Sequence, residues 1–202
     1  MKNFFQRFVS VFFHPLFMPL YGAALIIYFN RYLSYSVTLQ NKIAIAVIFV
    51  VDTIILPMLI AYFLNLKKII LSYEMETRAE REIPYFATAF CYLLAYYLLE
   101  YLRFPKMFQL LLLGAVIAIV IATVINVKWK ISIHMIGAGG ITGLLFALSQ
   151  NIMSDLRMAI LIAVLFSGII GTVRLAGGSH HPAEIYSGFM LGFFCEYLVF
   201  SF

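Results

Sequence analysis

Charged residues make up only 11% of this 202-residue chain, against 64% apolar ones. An average soluble domain carries roughly 25% charged residues. A chain of this size has too much surface for its volume to hide so many apolar side chains from water. That deficit excludes a soluble enzyme, a disordered tail and a free nucleic-acid-binding domain. Carboxylates are scarcer still, nine against fourteen Lys and Arg, which leaves a net charge of +5. In a membrane protein such an excess reads as basic loops beside anionic headgroups. Cysteine is nearly absent. Cys91 and Cys195 both lie in apolar runs, make no metal-ligand spacing, and supply no disulfide framework. There is also no small-x-small cleavage site after the first apolar stretch, so that stretch reads as a span and not as a secretory leader.

What the sequence has in abundance is long apolar runs. Crossing the hydrocarbon takes roughly 20 residues of helix. Seven runs qualify: 8–29, 43–64, 85–102, 107–126, 133–150, 156–173 and 183–201. The first holds His14, Pro15 and Pro19, which predicts a kink or an interfacial turn. The second carries Asp52 and Pro57, and Pro105 supplies the turn between the third and fourth. The expected fold is an all-α, polytopic transmembrane bundle of six to seven spans. Its organisation divides into N-terminal transmembrane helices over 1–64 and a core over 65–202.

Counting crossings constrains the polar segments. Spans two and three, four and five, and six and seven are each joined on one common side of the membrane. The stretches 67–82, 128–134 and 174–184 therefore meet the same face, although they are far apart in sequence. The first belongs to a charged insert over 65–84 that contains Glu74, Glu76, Glu80 and Glu82. By itself this insert reads as a solvated amphipathic connector.

The sharpest chemistry lies in VRLAGGSHHPAEIYSG, residues 173–188. Pro182 suits the first turn of a helix, with Ser179 or His180 at the cap. Glu184 then lies one turn beyond His180 and on its face. A carboxylate there can hold one imidazole nitrogen and leave the other free as a nucleophile. The helix N-terminus favours an anion, and Arg174 adds a bidentate donor suited to phosphate oxygens. His181 reads as a rim or packing residue.

These residues resemble the third signature of the type 2 phosphatidic acid phosphatase (PAP2) superfamily, which runs Ser-Arg, five residues, His, three residues, Asp. Arg174, His180, Pro182 and Gly188 match in register, while Val173 replaces the serine and Glu184 the aspartate. The second signature, Pro-Ser-Gly-His opening a membrane helix, is similar to Ile131-Ser132-Ile133-His134, which keeps the Ser and the His. The first, Lys, six residues, Arg-Pro, resembles the stretch from Arg78 through Arg81 to Pro84 with different spacing. Glu74 stands at the lysine's place there, and Arg78, Lys67 or Lys68 can substitute for it. The similarity covers about 65–200, leaving the first two spans outside it.

The resemblance implies a metal-independent lipid phosphatase of a bacterial inner membrane, with no cofactor. The substrate is a lipid phosphate monoester or diphosphate among membrane lipids, and no nucleic acid takes part. A homodimer is compatible with the sequence. His180 is the implied nucleophile, Glu184 its orienting acid, and His134 the general acid. Arg174, Arg81, Arg78 and Ser132 are the implied phosphate-binding residues. Two other readings remain open. One is an inactive relative that binds lipid phosphate without cleaving it. The other is a small transporter using Asp52, since an ionisable group within a span is costly and often functional, with Glu100 or Glu196 as its partner.

Overall fold

The computed structural model describes residues 4–201 except 74, 76, 153 and 179. Glu74, Glu76 and Ser179, singled out above, lie outside the described residues. Described residues form helices and connectors, with no strand among them. Among the described residues seven helical segments are long and apolar enough to cross a membrane, and the chain is an integral membrane protein.

The first span is broken where its prolines fall. Helix α1 covers Phe4–Phe12, a 3-10 turn Pro15–Phe17, and α2 Met18–Phe29. A short α3, Arg31–Ser36, follows Asn30, whose side-chain oxygen accepts from the Leu33 N–H at 3.1 Å and caps it. The second span runs as α4, Leu39–Phe49, then a π-helical segment Val50–Ile55, then α5, Leu56–Leu66. The wider turn coincides with Asp52, buried within it, and precedes Pro57, which has no N–H to continue the regular ladder. Thr53 donates to the carbonyls of Phe49 (2.6 Å) and Leu16 (3.4 Å), tying this segment to the 3-10 turn.

Five long helices complete the bundle: α6 Ala79–Tyr101, α7 Lys106–Lys128, α8 Ile133–Asn151, α9 Arg157–Ala176 and α10 Pro182–Ser201. Pro105 stands immediately before α7, as the turn requires. Helices α8 and α10 are the tightest pair. A Cβ added to Gly139 or Gly143 would strike the carbonyls of Phe189 or Phe193, and one on Gly192 would strike that of Ile136. Contacts that advance together along both helices mean that they run parallel. Small residues permit this approach in lipid, where apolar burial gives no drive to associate.

The three polar stretches meet at one end of the bundle, as the crossing count predicts. Arg78 donates to the Lys128 carbonyl at 2.6 Å, Arg81 to the Ile131 carbonyl at 3.3 Å, and the Ser132 N–H to the Glu184 carbonyl at 3.2 Å. The charged insert is more than a solvated connector. Glu80 accepts from the N–H groups of Leu71 (2.9 Å) and Thr77 (3.2 Å), folding the insert back onto the start of α6.

Candidate active site

His180 and Glu184 form the anchor. The imidazole Nδ1 lies 2.7 Å from Glu184 Oε2, with both residues buried, at 7% and 6% exposure. A carboxylate only accepts, so Nδ1 carries the proton and Nε2 keeps its lone pair. The same oxygen accepts from the His181 N–H at 3.2 Å. With Pro182 opening α10, Glu184 is its third residue, the place from which a Glu reaches back to the cap N–H. One side chain thereby caps the helix and fixes the imidazole.

Apart from Glu184, the charges acting on this ring are cationic. Burial is the largest influence on His180 and lowers its pKa from 6.5 to about 4. The Glu184 hydrogen bond opposes that shift, and the cations of Arg174, Lys130 and Arg81 reinforce it. The ring is therefore neutral at pH 7 and available as a nucleophile.

A cavity of about 430 Å³ opens beside it, lined by His180, Arg174, Arg81, His134 and His14. Arg81, at 5% exposure, is held by the backbone: Nε donates to the Met75 carbonyl at 2.8 Å and Nη1 to that of Ile131. Met75 adopts a left-handed φ of 47°, sparsely populated for a non-glycine residue, and itself lines the cavity. The Tyr85 hydroxyl lies beside Arg81 on the same wall. The charge of Arg174 reaches His14, His134 and His180, so it stands among the three rings.

His134 is the second residue of α8, two positions after the cap residue Ser132. Its Nε2 lies 3.3 Å from the Ser10 carbonyl, which fixes the proton on that nitrogen. Its Nδ1 is buried and has no hydrogen-bond partner among the described residues. Two of the implied phosphate ligands do not line the cavity. Arg78 is spent on the last carbonyls of α7, donating to Lys128 and, at 3.5 Å, to Val127. Ser132 is fully buried behind α10, with its hydroxyl unpartnered among the described residues. Its contribution is the backbone bond to Glu184. Asp52 does not line the cavity either.

Sequence reasoning missed three contributors. Ser10 and His14 come from the N-terminal segment left outside the similarity, yet both line the cavity. The His14 ring lies 5.6 Å from that of His134, and its Nδ1 accepts from the Leu16 N–H at 3.4 Å. The signal was the His-Pro pair at 14–15, a capping pattern whose tertiary neighbour no spacing reveals. The third is Lys130, whose charge acts on His180. It brings an ammonium toward the His180 ring where the sequence offers Arg78, Lys67 or Lys68. Among the described residues no group of three or more His, Cys, Asp or Glu side chains is placed to hold a metal ion. Comparison with protein-family models, with curated proteins and with solved structures finds no match for this chain.

Proposed function

We propose that this chain is a divergent relative of the type 2 phosphatidic acid phosphatases and hydrolyses a lipid phosphate at the membrane surface. The observation that carries the reading is the His180 imidazole, held through Nδ1 by Glu184, bordering a cavity that Arg174, Arg81 and His134 share. In the first step the Nε2 lone pair of His180 bonds to phosphorus. The bond to the leaving oxygen breaks, and that oxygen takes the Nδ1 proton of His134 in its doubly protonated form, while Nε2–H stays on the Ser10 carbonyl. Arg174 and Arg81 bear the charge on the equatorial oxygens, the kind of electrostatic positioning on which phosphoryl transfer depends. Water then attacks the phosphohistidine, loses a proton to His134, and returns the electron pair to His180.

The walls beyond the polar end are mostly apolar, among them Leu111, Ala115, Ile119 and Ile136. This supports a substrate with a hydrocarbon chain over a soluble phosphate ester. A bacterial inner membrane is the compartment in which we expect the enzyme.

The test is phosphate release by purified protein from a panel of lipid phosphates and diphosphates, with EDTA present. Turnover that disappears in His180→Ala and His134→Ala, with acid-labile phosphate trapped on His180, supports the hydrolase. Phospholipid binding without turnover on any member points to an inactive relative. Ion-coupled uptake lost in Asp52→Asn points to a transporter.

A further inference from the structure

The cavity has a second polar end. Glu196 lines it from α10, about three turns and roughly 18 Å beyond Glu184 at 1.5 Å per residue. The side chain is 4% exposed, and its Oε2 has no hydrogen-bond partner among the described residues. Room is made for it by glycines on two other helices. A Cβ on Gly114 of α7 would lie 2.6 Å from Oε2, and one on Gly140 of α8 would lie 3.3 Å from Cγ. A carboxyl buried without a partner is costly, and within a span it marks a functional position. Three helices thus shape a pocket around a polar group that the proposed phosphatase chemistry at the far end does not use.

We propose that this inner end is a subsite in which Glu196 hydrogen-bonds a hydroxyl group carried on the chain of the bound lipid phosphate. The inference rests on the phosphate-binding reading of the His180 end and names a substrate feature that reading leaves open. A hydroxyl fits because it can donate one hydrogen bond and also accept, and so pairs with a carboxyl in either protonation state. It also sheds its water at far lower cost than an ammonium passing the apolar walls would. A plain methyl-ended chain would bury the carboxyl against carbon and leave it unsatisfied.

The experiment measures binding, which separates it from turnover. Alkyl phosphonates of graded length, whose head cannot be hydrolysed, are titrated into the full chain in detergent. Each length is used in a methyl-ended and an ω-hydroxyl form. At the length that spans the cavity the hydroxyl form binds about tenfold or more tightly, as expected when a built hydrogen-bonding site is left unpaired by the analogue. Glu196→Leu removes that preference while still binding the methyl-ended chain, and Glu196→Gln keeps part of it. Equal affinities at every length, a preference that survives in Glu196→Leu, or tighter binding of an ω-amino chain overturns the subsite. Hydroxyl-selective binding without phosphate release upholds the subsite and rejects the hydrolase. Failure of every phosphonate to bind rejects both.

Discussion

Glu184 Oε2 sits 2.7 Å from His180 Nδ1 and 3.2 Å from the His181 N–H, so one oxygen fixes the imidazole and the start of the helix behind it. Glu184→Ala removes both functions. Phosphate release is expected to fall by about 10²–10⁴, the scale set when a histidine loses the carboxylate that fixes its tautomer. The lost cap costs about 1 kcal/mol of stability. Steady-state kinetics and thermal unfolding of the same variant read the two effects separately. Unchanged turnover would remove Glu184 from the mechanism.

The pH profile follows from the electrostatics around the same ring. Its pKa is lowered from 6.5 to about 4, so the neutral, nucleophilic form persists on acidification. The acid limb that protonation of His180 imposes on phosphate release is expected only toward pH 4. Lys130 is one of the cations that lower this pKa, so Lys130→Ala raises it and moves the acid limb to higher pH. An acid limb unmoved in kcat/KM for that variant contradicts the placement of Lys130.

His134 is assigned the proton that the leaving oxygen receives. His134→Ala is expected to slow release from an alkyl phosphate by about 10²–10⁴, the range of general acid catalysis. An aryl phosphate with an acidic leaving group needs no proton and should lose far less. The nucleophile variant His180→Ala loses both substrates equally. A uniform loss on both substrates in His134→Ala would make that ring a structural element.

The glycine contacts predict opposite outcomes for one chemical change. Gly192→Ala drives a methyl into the Ile136 carbonyl and separates α8 from α10, at a cost of about 1–3 kcal/mol for overpacking. Gly168→Ala on α9 meets nothing within 4 Å and gains helix propensity of up to about 1 kcal/mol. Thermal unfolding in detergent compares the two. A Gly192→Ala protein as stable as Gly168→Ala would contradict the close backbone contact.

What the sequence revealed and what it hid divide by range. His180 and Glu184 are four residues apart, and local helix geometry was enough to pair them. The shared face of Arg81, His134 and Arg174 followed from counting crossings, because a membrane reduces topology to parity. The roles of Arg78 and Lys130 were not legible. Both are basic residues at the ends of neighbouring elements, and which one turns toward His180 depends on the carbonyls of Val127 and Lys128 attracting Arg78. Ser10 was hidden altogether, because it acts on His134 through a carbonyl that every residue possesses, 124 positions away. The π-helical turn at 50–55 was hidden too. Pro57 announced an irregularity there but not its form.

The wiring of the two histidines has a mechanical consequence. Helices α8 and α10 touch backbone to backbone along the glycine contacts, and Ser132 is bonded to the Glu184 carbonyl at their shared end. Joined along that seam they would tilt as a single strut if the surrounding bilayer thinned or thickened, which would keep the spacing of His180 and His134 constant. The N-terminal turn meets His134 through the Ser10 carbonyl at 3.3 Å. That join runs through a side chain, where α8 and α10 meet through their backbones.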